Sequence, residues 1–366
     1  MNPLSPLRLL APLVLLGACT LPYHPPLVVR DSTPFPGVAA IVAASGARPV
    51  DLILVHGMCT QDPGWTERSI DRIAGAVADH APAAVPVPEA AAADGGIQVI
   101  ERTRQIGGGT VRFHALEWSP LTAPLKRQLD YDNTAQPTDC ASDQVCKPRR
   151  AALNGAVKDS LLNDCLADAV IYAGTSRAAI RDAMAAALVR ILDANSDPDA
   201  TLVVVAESLG SKMLFDALSS MLESDERRTQ ALGQLAARRL GLVYMAGNQL
   251  PILGLAEQNL VAAAMPAQDA LQRFLELRRR QPHGRNQPLR RLALVAFTDP
   301  NDLLSYRLLP TRYAAPEVTV ADVLVSNDRT WLGLLENPVT AHLGYLANPD
   351  VGALIACGRP AAPGCR

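Results

Sequence analysis

The chain has 366 residues, 49% of them hydrophobic and 19% charged, with a formal net charge of −2. That length and apolar content can bury a large core, and a balance so near neutral lacks the basic footprint of a nucleic-acid binder, which excludes that class of partner.

The first segment, MNPLSPLRLLAPLVLLGACT, carries one arginine, an apolar run from Leu9 to Leu16, and small residues before Cys19. The run is too short to span a bilayer and has the layout of a cleaved secretory signal, so residues 1–18 are expected to be removed. Leu16-Gly17-Ala18-Cys19 resembles the lipobox of bacterial lipoproteins. The resemblance implies cleavage before Cys19, lipidation of that cysteine and attachment to a membrane through it. Thr20, and not aspartate, follows the cysteine, which by the same resemblance favours the outer membrane of the cell envelope, facing the periplasm. Residues 19–49 contain LPYHPPLVVRDSTPFPG and are expected to form a proline-rich, flexible tether.

From about Val50 the pattern changes to apolar strands alternating with helical stretches, as in a mostly parallel sheet covered on both faces. Strands are predicted at Asp51–Val55, Thr110–Trp118, Thr201–Ala206, Leu240–Ala246, Leu292–Phe297 and Val318–Val325. Helices are predicted near Thr66–Ala78, Asn154–Tyr172, Ser176–Leu192, Lys212–Leu222 and Ala267–Arg278. One α/β domain over residues 50–366 accounts for this alternation. Residues 119–150 form the longest irregular piece and are expected to cap one edge of the sheet. The cluster Arg278-Arg279-Arg280 reads as a solvated face, as do Asp164 and Asp168, four apart on a helix.

Seven cysteines in an exported chain suggest disulfides once Cys19 is set aside. Cys140 with Cys146 and Cys357 with Cys365 are close pairs, and elimination leaves Cys59 with Cys165, although the number alone permits other connectivities. No histidine or second close cysteine pair is placed to complete the four ligands of a zinc site, so no metal is expected.

Chemistry concentrates at four places. TLVVVAESLGSKML runs a buried strand into a helix through Ala206-Glu207-Ser208-Leu209-Gly210, the pattern of a nucleophile held on a tight turn. Upstream, DLILVHGMC ends a strand in His56-Gly57, after which the amide of Met58 can join that of Leu209 as an oxyanion hole. A serine needs a base. Of the six histidines, His24 lies in the tether, His80 enters a proline-rich stretch, His283 sits among arginines and His114 is inside a strand. His342, in ENPVTAHLGYLANPD, follows the last predicted strand and is the preferred base. The orienting acid is Asp302 in FTDPNDLLSY, which follows the turn and precedes an apolar run, with Asp299 as the alternative. Asn248 and Gln249, at another strand end, either line a pocket or cap a loop.

The order Ser208, Asp302, His342 resembles the α/β-hydrolase superfamily, in its lipase- or esterase-like bacterial branch, from about Asp51 to Tyr345. LILVHGM, VVVAESLGS, FTDPNDLLSY and NPVTAHLGY carry the likeness. It implies an α/β-hydrolase fold and a serine hydrolase that cleaves carboxylic esters, with lipids as candidate substrates, without a cofactor. A thioesterase or amidase shares these residues, and the rival of another class is a catalytically silent envelope-binding module. Similar sequences often have histidine before the serine, where this chain has Glu207. A carboxylate there either opposes an anionic intermediate or is held by a neighbouring donor.

Overall fold

Every residue of Val50–Val55, Leu202–Glu207, Leu240–Ala246 and Leu292–Thr298 is buried, the condition that an unbroken aliphatic run imposes on a strand covered on both faces. The structure is a computed structural model and describes residues 19–29, 34–77, 96–134, 137–138, 149–260, 267–281 and 291–365. The expected signal at 1–18 and the Cys140/Cys146 pair lie outside the described residues.

Eight strands form the central sheet: β1 (Leu27–Val28), β2 (Val50–Val55), β3 (Gln98–Ile106), β4 (Gly109–Glu117), β5 (Leu202–Glu207), β6 (Leu240–Ala246), β7 (Leu292–Thr298) and β8 (Val318–Leu324). Their spatial order is β1-β8-β7-β6-β5-β2-β4-β3. The central pairs are parallel, while the edge strands β1 and β3 run antiparallel to β8 and β4. The molecule is therefore α/β with a mostly parallel sheet, as expected.

The longer helices are α1 (Val38–Ser45), α2 (Trp65–Ala74), α3 (Ser119–Lys126), the α4 run (Ala152–Ala156, π-helical Val157–Leu166, Ala167–Ala173), α5 (Arg177–Ala194), α6 (Leu209–Leu222), α7 (Arg227–Arg239), α8 (Ala270–Arg279), α9 (Pro338–Leu343) and α10 (Pro349–Cys357). Side chains alternate across the sheet. Leu202, Val204 and Ala206 of β5 pack with α5, α6, α7 and α8 on one face, whereas Val203 and Val205 pack with α1, α2 and α10 on the other. Among the described residues no helix is long and apolar enough to cross a membrane.

Three expectations change. The segment 19–49 is not a free leash. Cys19–Thr20 pairs with Thr330–Trp331, β1 joins the sheet, Phe35–Pro36 pairs with Gly358–Arg359, and α1 buries Val38, Ala39, Ile41 and Val42. Proline limits ladder hydrogen bonds without preventing edge pairing, and VAAIVAAS supplies apolar surface that the core absorbs. Strand β3 was not predicted. Its signal was Gly107-Gly108, both at positive φ, the two-residue hairpin turn that joins it to β4. Arg278 leaves the solvated face that the basic run suggests: it is buried, and its guanidinium donates to the carbonyls of Ala237 and Leu240 at 3.0 and 3.3 Å.

Candidate active site

Ser208 stands between β5 and α6 with φ 50° and ψ −125°, a backbone that a side chain rarely tolerates. Its amide donates to the carbonyl of Ala246 at 2.8 Å, which extends the β5–β6 ladder one step into the turn. Two glycines make room. A Cβ on Gly57 would lie 2.8 Å from Cβ of Ser208, and one on Gly210 would lie 2.4 Å from the carbonyl oxygen of His56. The turn therefore fits only because the end of β2 and the start of α6 approach without side chains between them.

The hydroxyl of Ser208 lies 3.2 Å from Nε2 of His342, and Nδ1 of His342 lies 2.9 Å from both carboxylate oxygens of Asp302. With Nδ1–H donated to Asp302, Nε2 is left as the acceptor that faces Ser208. All three residues are about 4% exposed, so the relay is shielded from bulk water. Asp302 is itself fixed. Tyr345 donates its hydroxyl to Oδ2 at 2.9 Å and the amide of Leu304 donates to Oδ1 at 2.9 Å. Gly247, at φ 62°, lets Tyr345 pass, since a Cβ there would meet its ring at 2.9 Å.

Asp299 does other work. It accepts the amides of Asn301 at 2.9 Å and Asn327 at 2.6 Å, and so closes the loops that follow β7 and β8. Burial raises its carboxyl and that of the adjacent Glu336, which is pushed up to about 7 by burial and by the charge of Asp299. Of the two aspartates proposed from the sequence, the structure brings only Asp302 to His342. Asn248 caps a loop, with its side chain bonded to the amide of Leu250 and the carbonyl of Tyr306.

On the opposite side of Ser208, the turn after β2 is held from several directions. His56 is fully buried; it stacks on Trp118 with ring centroids 4.8 Å apart, bonds to the carbonyl of Gly57 through Nδ1, and accepts the amide of Trp118 at 2.9 Å through Nε2. Burial lowers its pKa to about 3, so it is a neutral structural ring and no rival base. Cys59 and Cys165 are disulfide-bonded, with sulfurs 1.98 Å apart. The amide of Cys59 donates to Asp168 at 2.8 Å and that of Thr60 to Asp164 at 3.0 Å. Lys126, itself buried, donates to Asp164 at 2.6 Å, Asp168 at 3.1 Å and the Thr60 hydroxyl at 3.1 Å. Asp168 is thus fully buried and not part of a wet face, with Lys126 and the amide of Cys59 both donating to its Oδ2. Cys59, Cys165 and Asp164 lie close together, but both sulfurs are committed to each other and offer no thiolate to a metal. Leu209 opens α6, where first-turn N–H groups have no intrahelical partner, and Met58 faces the same cleft as Ser208.

A cleft of about 750 Å³ opens at Ser208 and His342. Its walls include the turn at Met58–Asp62, the α2 residues Trp65, Arg68 and Arg72, and residues from Leu343 to Ala353 beyond His342. Among its described residues, the 119–150 excursion contributes none of this wall: it forms α3 and a 3-10 turn at Arg127–Asp132, and α3 packs on α4. Glu207 is also in the wall. Trp65 donates its indole N–H to Glu207 at 3.3 Å; burial pushes the carboxyl up to about 7, with Trp65 and the charge of His342 pulling the other way. A tryptophan that opens a helix after Pro63-Gly64 gives no direct sequence signal of this contact.

Cys357 and Cys365 are joined as expected, with sulfurs 2.04 Å apart, and Cys19 is exposed with no disulfide partner among the described residues. No family model, curated protein or solved structure matches the chain.

Proposed function

We propose that the chain is a serine hydrolase of the α/β-hydrolase fold that cleaves carboxylic esters and acts in a bacterial cell envelope, anchored by lipid on Cys19. The observation that carries the reading is the continuous contact from Ser208 through His342 to Asp302, at 3.2 and 2.9 Å. The placement of these residues supports the fold as well: Ser208 follows the central β5, Asp302 follows β7, and His342 follows β8, all at the carboxyl ends of parallel strands.

In this mechanism Ser208 Oγ bonds to the ester carbonyl carbon as its proton passes to Nε2 of His342. Asp302 stabilises the imidazolium and keeps its orientation. The amides of Met58 and Leu209 hold the oxyanion. The intermediate collapses as the C–O bond to the leaving alcohol breaks, and His342 gives that alcohol its proton. Water, deprotonated by the same histidine, then releases the acid from Ser208. No metal or organic cofactor enters these steps.

A fluorophosphonate probe tests the reading. Labelling of the wild type that is lost in Ser208→Ala is the expected result. Failure of the folded wild type to react would favour the silent binding module, for which Glu207 beside the serine is the specific motive, since its anion would oppose an oxyanion. Ester, thioester and amide substrates of one acyl group would then separate the esterase from its chemical neighbours.

A further inference from the structure

Cys19–Thr20 is paired with Thr330–Trp331, with Cys19 opposite Trp331. The pairing is reinforced by side chains. The hydroxyls of Thr20 and Thr330 lie 2.7 Å apart, and that of Thr330 donates to the carbonyl of Thr20 at 3.1 Å. Further along, the amide of Tyr23 donates to the hydroxyl of Ser326 at 3.0 Å, and His24 meets Asp350 at 2.6 Å. An acyl chain on Cys19 would therefore leave the body beside Trp331, without a length of free chain between them.

The chain then makes a tight turn, closed by the amide of Trp331 on the carbonyl of Leu335 at 2.7 Å. Turn chemistry favours glycine and small polar residues, above all where φ is positive. Here the sequence is Trp331-Leu332-Gly333-Leu334-Leu335, and Leu332 itself sits at φ 53°. Trp331, Leu332, Leu334 and Leu335 are 61%, 57%, 85% and 61% exposed. Four large apolar side chains at the tip of one turn are costly in water and favourable in a bilayer interface, where tryptophan is well accommodated. The adjacent lipid site argues for a bilayer over a protein as what covers them.

We propose that the Trp331–Leu335 turn inserts into the same membrane leaflet that holds the acyl chains of Cys19, so that anchor and turn together dock the body in one orientation. The proposal rests on the reading of Cys19 as a lipid anchor. Glu336 and Asn337 join the turn to α9, the helix that carries His342, so the docked orientation holds the base side of the cleft near the lipid.

The test separates the turn from the anchor. A Cys19→Ser chain beginning at residue 19 is mixed with phosphatidylethanolamine/phosphatidylglycerol vesicles, with and without brominated acyl chains. Trp65 and Trp118 are buried, at 7% and 0% exposed, so bromolipid quenching reports Trp331 among the three tryptophans. The expected result is vesicle binding with quenching, and at least a tenfold lower partition for Leu332→Ser/Leu334→Ser/Leu335→Ser, which keeps Trp331, with its melting temperature unlowered. An unquenched Trp331, or equal binding by the triple variant, would overturn the insertion. Mass measurement of the amino-terminal peptide from envelope fractions reports on the anchor alone: an acylated Cys19 supports the shared leaflet, and an unmodified one overturns it even where vesicles are bound.

Discussion

On one side of Ser208 the turn at 56–61 is secured by a disulfide, two aspartates and buried Lys126; on the other, His342 rides a six-residue helix held by hydrogen bonds and continuous with an exposed apolar turn. The difference fits what each side would do in the proposed mechanism. Backbone amides stabilise an oxyanion only when they are aimed before charge develops, and they have no side-chain torsion with which to adjust. An imidazole can be aimed through one partner, and Asp302 holds both of its oxygens 2.9 Å from Nδ1. Covalent and lysine–carboxylate ties are therefore concentrated on the Met58 side, and hydrogen bonds to Asp302 aim the His342 side.

The largest expected effect breaks the second side. Asp302→Asn should lower kcat by roughly 10⁴-fold while the fold survives, because the amide favours the wrong imidazole tautomer. Asp299→Asn, which alters a loop-closing carboxylate, should cost less than about tenfold. Steady-state kinetics on a soluble ester check the pair, and equal losses would remove the distinction between the two aspartates.

Breaking the first side should be gentler on chemistry and harder on stability. Joint Cys59→Ala and Cys165→Ala should lower unfolding free energy by about 2–4 kcal/mol. The same change should reduce kcat by roughly tenfold with KM little changed, as the Met58 amide loses its aim. Urea unfolding and a kcat-against-KM comparison read the two effects separately. A stable variant with unchanged kcat would show that the ionic ties to Asp164 and Asp168 suffice alone.

An effect on stability alone concerns Glu207, which lies between the two sides. Its folded-state pKa is raised from 4.5 to about 7 chiefly by burial, so the native state keeps a proton that the unfolded chain releases. The resulting stability is present below pH 4.5 and is lost as pH rises through about 7. Glu207→Gln should remove that slope, with a gain relative to wild type by pH 8 on the order of 3 kcal/mol at most. Thermal melts at pH 4 and pH 8 measure it. A parallel pH dependence in both proteins would exclude Glu207 as the group responsible.

The central strands and the order of the triad were legible because parallel-sheet burial forces unbroken runs such as Val203-Val204-Val205, and because strained turns require small residues such as Gly57 and Gly210. Asp302 was separable from Asp299 in part, by its position after the turn. What remained hidden depends on contacts between distant segments. Nothing in VAAIVAAS tells an apolar linker from α1, and the i,i+4 spacing of Asp164 and Asp168 does not reveal Lys126 across from them. Strand β3 could have been found from its glycine turn, but its charged residues, such as Glu101 and Arg102, weaken the apolar pattern of an edge strand.

The positive φ of Ser208 brings its hydroxyl to His342 and at the same time sets a ceiling on durability. Glycine adopts that conformation freely, so Ser208→Gly relieves strain that serine must bear, of order 1–3 kcal/mol. The inactive protein should then outlast the active one on heating. Selection for robustness alone would erode this position, and under the proposed mechanism selection on turnover would keep a serine there.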